Sequence, residues 1–226
     1  MAKILCLETA TTNCSVAIGI DGKLVAIIEE NTPQYSHAEQ LHVFIEKALS
    51  SVKLGLDDID AIAVSMGPGS YTGLRIGVSA AKGLSFAAEK PLIAIPTLES
   101  LARQIQANSG EIIIALLDAR RMEVYSEVFD HGHHKLRQTK AEVITETSFQ
   151  DFRSYDRIYL VGPGAGKCEM ILQDRIFEYF SENVPSALQM VALAENRFQQ
   201  KDFEDVAYFE PFYLKDFILN GGQKKT

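Results

Sequence analysis

The sequence predicts an α/β protein built on mixed β-sheets flanked by helices. Three observations predict it. Asp21-Gly22 separates the β-prone runs CSVAIGI and KLVAIIEE, a strong hairpin signal. Over the first hundred or so residues the elements then follow the order βββαβαβα, which suits a mixed sheet with helices on its faces. After Gly110 the chain starts a second series in the same way, with a strand ending in a carboxylate, a turn and another strand.

The first strand is KILCLE, ending at Glu8, and TATTN turns it into the second. From His37 the period becomes helical, with Leu41, Ile45, Ala48 and Leu49 on one face and Gln40, Glu46 and Lys47 on another. DAIAVS is the next strand. A glycine-rich loop follows it, then a helix from about Tyr71 to Ala88, the short strand PLIAI closed by Pro96, and a helix from about Leu98 to Ala107 ending at Asn108-Ser109-Gly110. In the second series EIIIALLD and MEVYSEVFD flank the DARR turn, and His131-Gly132 opens a further hairpin turn. RIYLV then leads into a second glycine loop and a helix KCEMILQDRIF. SALQMVALAENRFQ reads as one more helix, and the aromatic tail with Phe209, Phe212, Tyr213 and Phe217 is too apolar to leave the body.

Composition narrows the function. The 226 residues are 46% hydrophobic and carry a net charge of −8, spread as 8 Lys/Arg against 11 Asp/Glu over residues 1–110 and 14 against 19 beyond. A chain this evenly acidic is poorly suited to gripping a phosphate backbone unaided, so any nucleic acid is expected to be held by a partner. Cys6, Cys14 and Cys168 form no C-x-x-C pair and read as buried hydrophobes of a reducing compartment. No apolar run approaches the ~18 residues of a membrane span, and no secretion signal opens the chain, so the expected location is the cytoplasm.

The stretch SMGPGSYTGLRIGVSAAKG, Ser65 to Gly83, is the densest candidate site. It lacks the Gly-Lys-Ser/Thr of a P-loop, and Gly67, Gly69 and Gly73 are spaced one residue too wide for a dinucleotide fingerprint. Its place between strand and helix still suits an anion, because free N–H groups converge at a helix N-terminus. Gly73, Gly77 and Ala81 recur every four residues, and Ser79, Gly83 and Ala87 form a second small stripe. Such faces let a neighbouring element come close, inside the fold or across a subunit boundary. LVGPGAGKC, Leu160 to Cys168, fails as a P-loop at Val161 and Cys168. His131, His133 and His134 have no carboxylate or cysteine placed to complete a metal site, and no nucleophile–histidine pair is visible.

Taken together, ETATTNCSVAI, SMGPGSYTGLRIGVSAAKGLSF, PLIAIPTLESLA, LLDARRMEVY and the final PFYLKDF closely resemble the TsaB (YeaZ) family, bacterial proteins needed to make threonylcarbamoyladenosine on tRNA. The resemblance implies an actin-like or Hsp70-like fold of two ribonuclease H-like halves. Residues 1–107 would form the first, carrying the partner helices, and residues 108–226 a reduced second. It makes the chain a shortened paralogue of the catalytic subunit TsaD. TsaD-like chains carry an H-M-E-G-H segment whose two histidines bind a metal; here Thr97 and Leu101 stand in those positions. Where TsaD-like chains have a phosphate-receiving glycine-rich turn, this one has DARRM, with Arg120 and Arg121 as candidate anion contacts.

The resemblance therefore implies a non-catalytic scaffold with no catalytic residue, metal or cofactor of its own, and with ATP or ADP held only at a junction with TsaD. Glu8, Thr9, Gly67, Gly69 and Ser70 become a vestigial or shared nucleotide loop. The implied protein partners are TsaD and a TsaE-like ATPase, with tRNA met only indirectly and no membrane involved. The expected interface, which would self-pair as a homodimer when TsaD is missing, is Leu41 and Ile45 with Gly73, Arg75, Gly77, Val78 and Ala81. Two rival classes stay in view, an active nucleotide-dependent transferase or kinase of the actin-like superfamily and a peptidase.

Overall fold

A computed structural model describes residues 1–32 and 37–214. Among the described residues, ten strands form two five-stranded sheets. The first comprises β1 (Lys3–Glu8), β2 (Asn13–Ile20), β3 (Lys23–Asn31), β4 (Ala61–Gly67) and β5 (Leu92–Pro96), ordered β3-β2-β1-β4-β5. The second comprises β6 (Glu111–Asp118), β7 (Glu123–Asp130), β8 (Lys135–Val143), β9 (Arg157–Val161) and β10 (Phe177–Phe180), ordered β10-β9-β6-β7-β8. Read from its own first strand, each sheet has the same plan. An antiparallel meander of three strands is followed by two strands parallel to the first. The duplication suggested by the repeated element order is thus present strand for strand, as two ribonuclease H-like halves of an actin-like fold.

Alternation along the strands feeds two faces of each sheet, as a period of two requires. Leu5 and Leu7 of β1, with Ile62 and Val64 of β4, point into a core shared with α1 (His37–Ser51) and α2 (Tyr71–Ala88). Ile4 and Cys6, with Ala61, Ala63, Ile93 and Ile95, point to the opposite face. There they meet Met190, Val191 and Ala194 of a helix from the other half, α5 (Ala187–Gln200). The exchange is reciprocal: α3 (Thr97–Ala102), from the first half, lays Leu98, Leu101 and Ala102 on Ile113, Ala115 and Leu117 of the second sheet. Each fully buried aliphatic side chain contributes about 1.5–3 kcal/mol, so the exchanged helices fasten the halves together on this side. Polar links reinforce it: Gln104 Nε2 donates to Val184 O at 2.7 Å, and Arg197 pairs with Glu99 at 3.5 Å.

Several sequence expectations change in detail. The helix expected to run to Ala107 stops at Ala102, because Gln104 N–H and Ile105 N–H close three-residue turns and Ile105 drops into the core. The helix expected over KCEMILQDRIF is only α4 (Ala165–Glu169), since Phe177–Phe180 joins β9 as a parallel strand. In the tail Phe209 is buried and Phe212 is partly exposed, while Phe217 lies outside the described residues. No helix among the described residues is long and apolar enough to cross a membrane.

Candidate functional site

The two halves carry the same turn at the same place. Gly67-Pro68-Gly69 starts at the last residue of β4, Gly162-Pro163-Gly164 follows β9, and both leading glycines hold φ at +112°. That backbone conformation excludes a side chain. Crowding adds a second reason. A Cβ on Gly67 would lie 2.7 Å from Phe212 O, and one on Gly162 would collide with Leu116 O.

Pro68, Gly69 and Pro163 line a cleft of about 850 Å3 between the halves. Ala10, Thr11 and Thr12 of the β1–β2 turn, Ser70 to Thr72 at the start of α2, and Leu117 to Arg120 complete its floor and sides, while Tyr125, Phe212 and Tyr213 supply aromatic walls. Ser70 caps α2, its hydroxyl accepting from Gly73 N–H at 3.3 Å while its own N–H donates to Ala10 O at 2.7 Å. A helix of 18 residues therefore presents its positive end to the cleft.

The residues expected to form a nucleotide loop do come together at this end of the first sheet. Gly69 and Ser70 face the cleft; Glu8 and Thr9 lie fully buried beneath them. Glu8 Oε1 accepts from Ala10 N–H at 2.6 Å and from Ser65 Oγ at 2.8 Å. Burial nevertheless dominates those bonds and pushes the Glu8 carboxyl up to about 7. Thr9 Oγ1 donates to Gly73 O at 2.8 Å, and the same hydroxyl fills the space a Cβ on Gly77 would need.

The expected interface set divides differently. Leu41, Ile45, Val78 and Ala81 are buried in the chain's own first core, and Gly73 and Gly77 are packed against Thr9, so these six are internal rather than interfacial. The reason is the sheet beneath: β1, β2 and β4 present an apolar face that claims these stripes of α1 and α2. Of the set only Arg75 is exposed. The outward faces carry Val43, Glu46 and Lys47 on α1, and Thr72, Ser79, Gly83 and Phe86 on α2, Phe86 being 80% exposed. Ser79 and Gly83 belong to the second small stripe, whose spacing was the available signal.

A family model described as TsaD, tRNA N6-adenosine threonylcarbamoyltransferase, matches residues 31–219. The tRNA threonylcarbamoyladenosine biosynthesis protein TsaB of Haemophilus influenzae (strain ATCC 51907 / DSM 11121 / KW20 / Rd) is 31% identical, over 95% of this chain and 94% of its own. This chain belongs to the TsaB (YeaZ) family. The TsaB of Escherichia coli (strain K12) is 30% identical over 96% of both chains. The solved structure of YeaZ from Pseudomonas aeruginosa superposes with a TM-score of 0.82 at 27% identity, covering 95% of this chain and all of that one.

Within this TsaB-family chain, Thr97 and Leu101, the pair expected to stand in place of metal-binding histidines, are both fully buried. Thr97 Oγ1 accepts from Gly67 N–H at 3.2 Å, and Leu101 packs in the core of the second sheet against Gly162. Arg120 and Arg121 form the exposed tip of the β6–β7 turn, both with positive φ, 69° and 51°. Arg120 lines the cleft and Arg121 does not. Asp118 Oδ1 secures the turn by accepting from Arg120 N–H at 2.6 Å and from Lys167 Nζ at 2.8 Å.

Proposed function

We propose that this chain is a non-catalytic subunit of the machinery that adds threonylcarbamoyl to the adenosine beside the anticodon of tRNAs, and that it acts by docking on TsaD and holding it in a competent shape. The observation that carries the reading is the state of Thr97 and Leu101. One hydroxyl is committed to a backbone N–H and the other side chain is aliphatic, both under full burial, so this pair offers no imidazole to a metal. The end-to-end similarity to TsaB proteins supplies the pathway.

Docking uses the outward faces of α1 and α2, with Val43, Arg75, Ser79 and Phe86 as central residues. Two such helices meet two equivalents on TsaD, and without TsaD the same face self-pairs as a homodimer. A TsaE-like ATPase joins the pair. ATP or ADP is held at the junction with TsaD, where this chain provides a wall, and tRNA is held mainly by the partners. The account is tested by titrating TsaD with this chain: a saturable one-to-one complex is expected, and failure to bind at micromolar concentration would contradict it.

The cleft favours one second reading, an actin-like nucleotide-dependent transferase or kinase. Calorimetry with ATP and magnesium on the isolated chain separates the two. One-to-one binding at micromolar affinity supports the enzyme, and its absence supports the scaffold.

A further inference from the structure

The segment 205–214 runs as a strap from the first core, along α2, to the mouth of the cleft. Its near end is firmly held. Phe209 is buried in the core, Phe209 N–H donates to Asp205 O at 2.8 Å, and Lys82 Nζ on α2 donates to Phe209 O at 2.8 Å and to Ala207 O at 3.2 Å. Glu210 and Pro211 follow. Beyond them Phe212 N–H donates to Met66 O at 2.7 Å, and its carbonyl occupies the space left by the missing side chain of Gly67.

The far end is held from outside by a clamp on α2. The Arg75 guanidinium lies over the Tyr71 ring, 3.9 Å from its centroid, and its Nε donates to the Tyr213 hydroxyl at 3.2 Å. The two tyrosine rings stand 5.1 Å apart. Arginine suits this place because its planar cation stacks on a ring and donates at its edge at the same time. Phe212, Tyr213 and Leu214 form one wall of the cleft, together with Tyr71 at the start of α2.

We propose that residues 212–214 are a gate over the cleft, hinged at Glu210–Pro211 and latched by the Tyr71–Arg75–Tyr213 clamp. The asymmetry of the anchors argues for it. Releasing the near end means pulling an aromatic side chain out of the core, whereas releasing the far end breaks one backbone hydrogen bond to β4 and exchanges partly exposed side-chain contacts for water. Local opening follows the weaker set. Opening uncovers the Gly67 turn and the first turn of α2, the part of the cleft where backbone N–H groups converge. The gate belongs to this chain alone and stands whether or not TsaD binds α2.

Two readouts test the gate on the full-length chain. Amide hydrogen exchange follows the Phe212 N–H, and thiol labelling of Thr12→Cys reports access to the cleft, against a background of three buried native cysteines. Tyr213→Phe removes the latch bond and keeps the ring. It is expected to speed both exchange at Phe212 and labelling at position 12 by roughly threefold to tenfold, the span of one exposed hydrogen bond. Arg75→Gln should do the same, with exchange at Phe209 unchanged in both variants. Unaltered exchange and labelling would overturn the latch. Faster exchange at Phe209 together with Phe212 would overturn the hinge, because the strap would then leave as one piece.

Discussion

Thr9 donates its hydroxyl to the Gly73 carbonyl at 2.8 Å, and that bond fixes the turn after β1 against the first turns of α2. The same hydroxyl lies where a Cβ on Gly77 would fall, so sheet, turn and helix meet at a spacing only glycine permits. Gly77→Ala should therefore lower stability by about 1–3 kcal/mol, the cost of overpacking a tight site. Gly83, on the same helix with open space around it, gives the opposite sign: Gly83→Ala should stabilise by about 0.5–1 kcal/mol. Denaturant midpoints of the two variants check the pair, and equal effects would contradict the packing described.

Glu8 predicts a pH dependence. Its carboxyl titrates near 7 in the folded chain, raised by burial above an ordinary 4.5, so the folded state binds the proton more tightly than the unfolded state. The group costs nothing below pH ~4.5, where both states are protonated, and its penalty grows as pH rises to about 7. Glu8→Gln should remove that slope and leave the variant more stable than the parent at pH 8, by on the order of 2–3 kcal/mol. Chemical denaturation between pH 4.5 and 8 measures this, and parallel curves for the two proteins would refute it.

The outward faces of α1 and α2 can be separated from the core beneath them. Phe86→Asp should weaken TsaD binding at least tenfold, roughly 1.4 kcal/mol or more, with the melting temperature nearly unchanged. Leu41→Ala should do the reverse, lowering stability by about 2–5 kcal/mol through a cavity in the first core. TsaD affinity and thermal melts on both variants decide whether the docking face lies on the outward face of α2, as proposed.

Arg120 and Arg121 hold a left-handed backbone that a glycine adopts without strain. If these side chains serve an anion, Arg120→Gly and Arg121→Gly should each leave the fold as stable or up to about 1 kcal/mol more so. Each should also reduce the salt dependence of tRNA binding by the assembled complex by about one unit of slope. An unchanged salt slope in the double variant removes them as anion contacts.

Much of this architecture is legible in the residues. Asp21-Gly22 marks the β2–β3 hairpin, the apolar period marks α1 and α5, and α2 begins and ends where expected. β8 is not legible, because Lys135–Val143 is largely polar and exposed and is a strand only by pairing with β7. β10 is hidden for a related reason: its short aromatic run fits a helix until β9 offers it parallel hydrogen bonds. Sites proved harder than elements. Both α1 and α2 carry small or apolar residues on more than one face, and only the sheet beneath decides that Leu41, Ile45 and Val78 turn inward while Val43 and Phe86 turn out. The cleft joins Thr11, Ser70, Arg120, Pro163 and Tyr213, residues with no common pattern in the sequence. Its visible traces were the glycine loop with Gly69 and Ser70 and the turn at Arg120, both expected as candidate anion contacts.

The central claim is that this chain supports tRNA modification without performing it. Reconstitution tests it most directly: threonylcarbamoyl transfer to tRNA is measured with TsaD, the TsaE-like ATPase and the synthase that makes threonylcarbamoyl-adenylate, with and without this chain. The account predicts that transfer collapses when the chain is left out, returns in full when it is added, and does not occur with this chain in place of TsaD. Undiminished transfer in its absence, or transfer by this chain alone, would contradict the account.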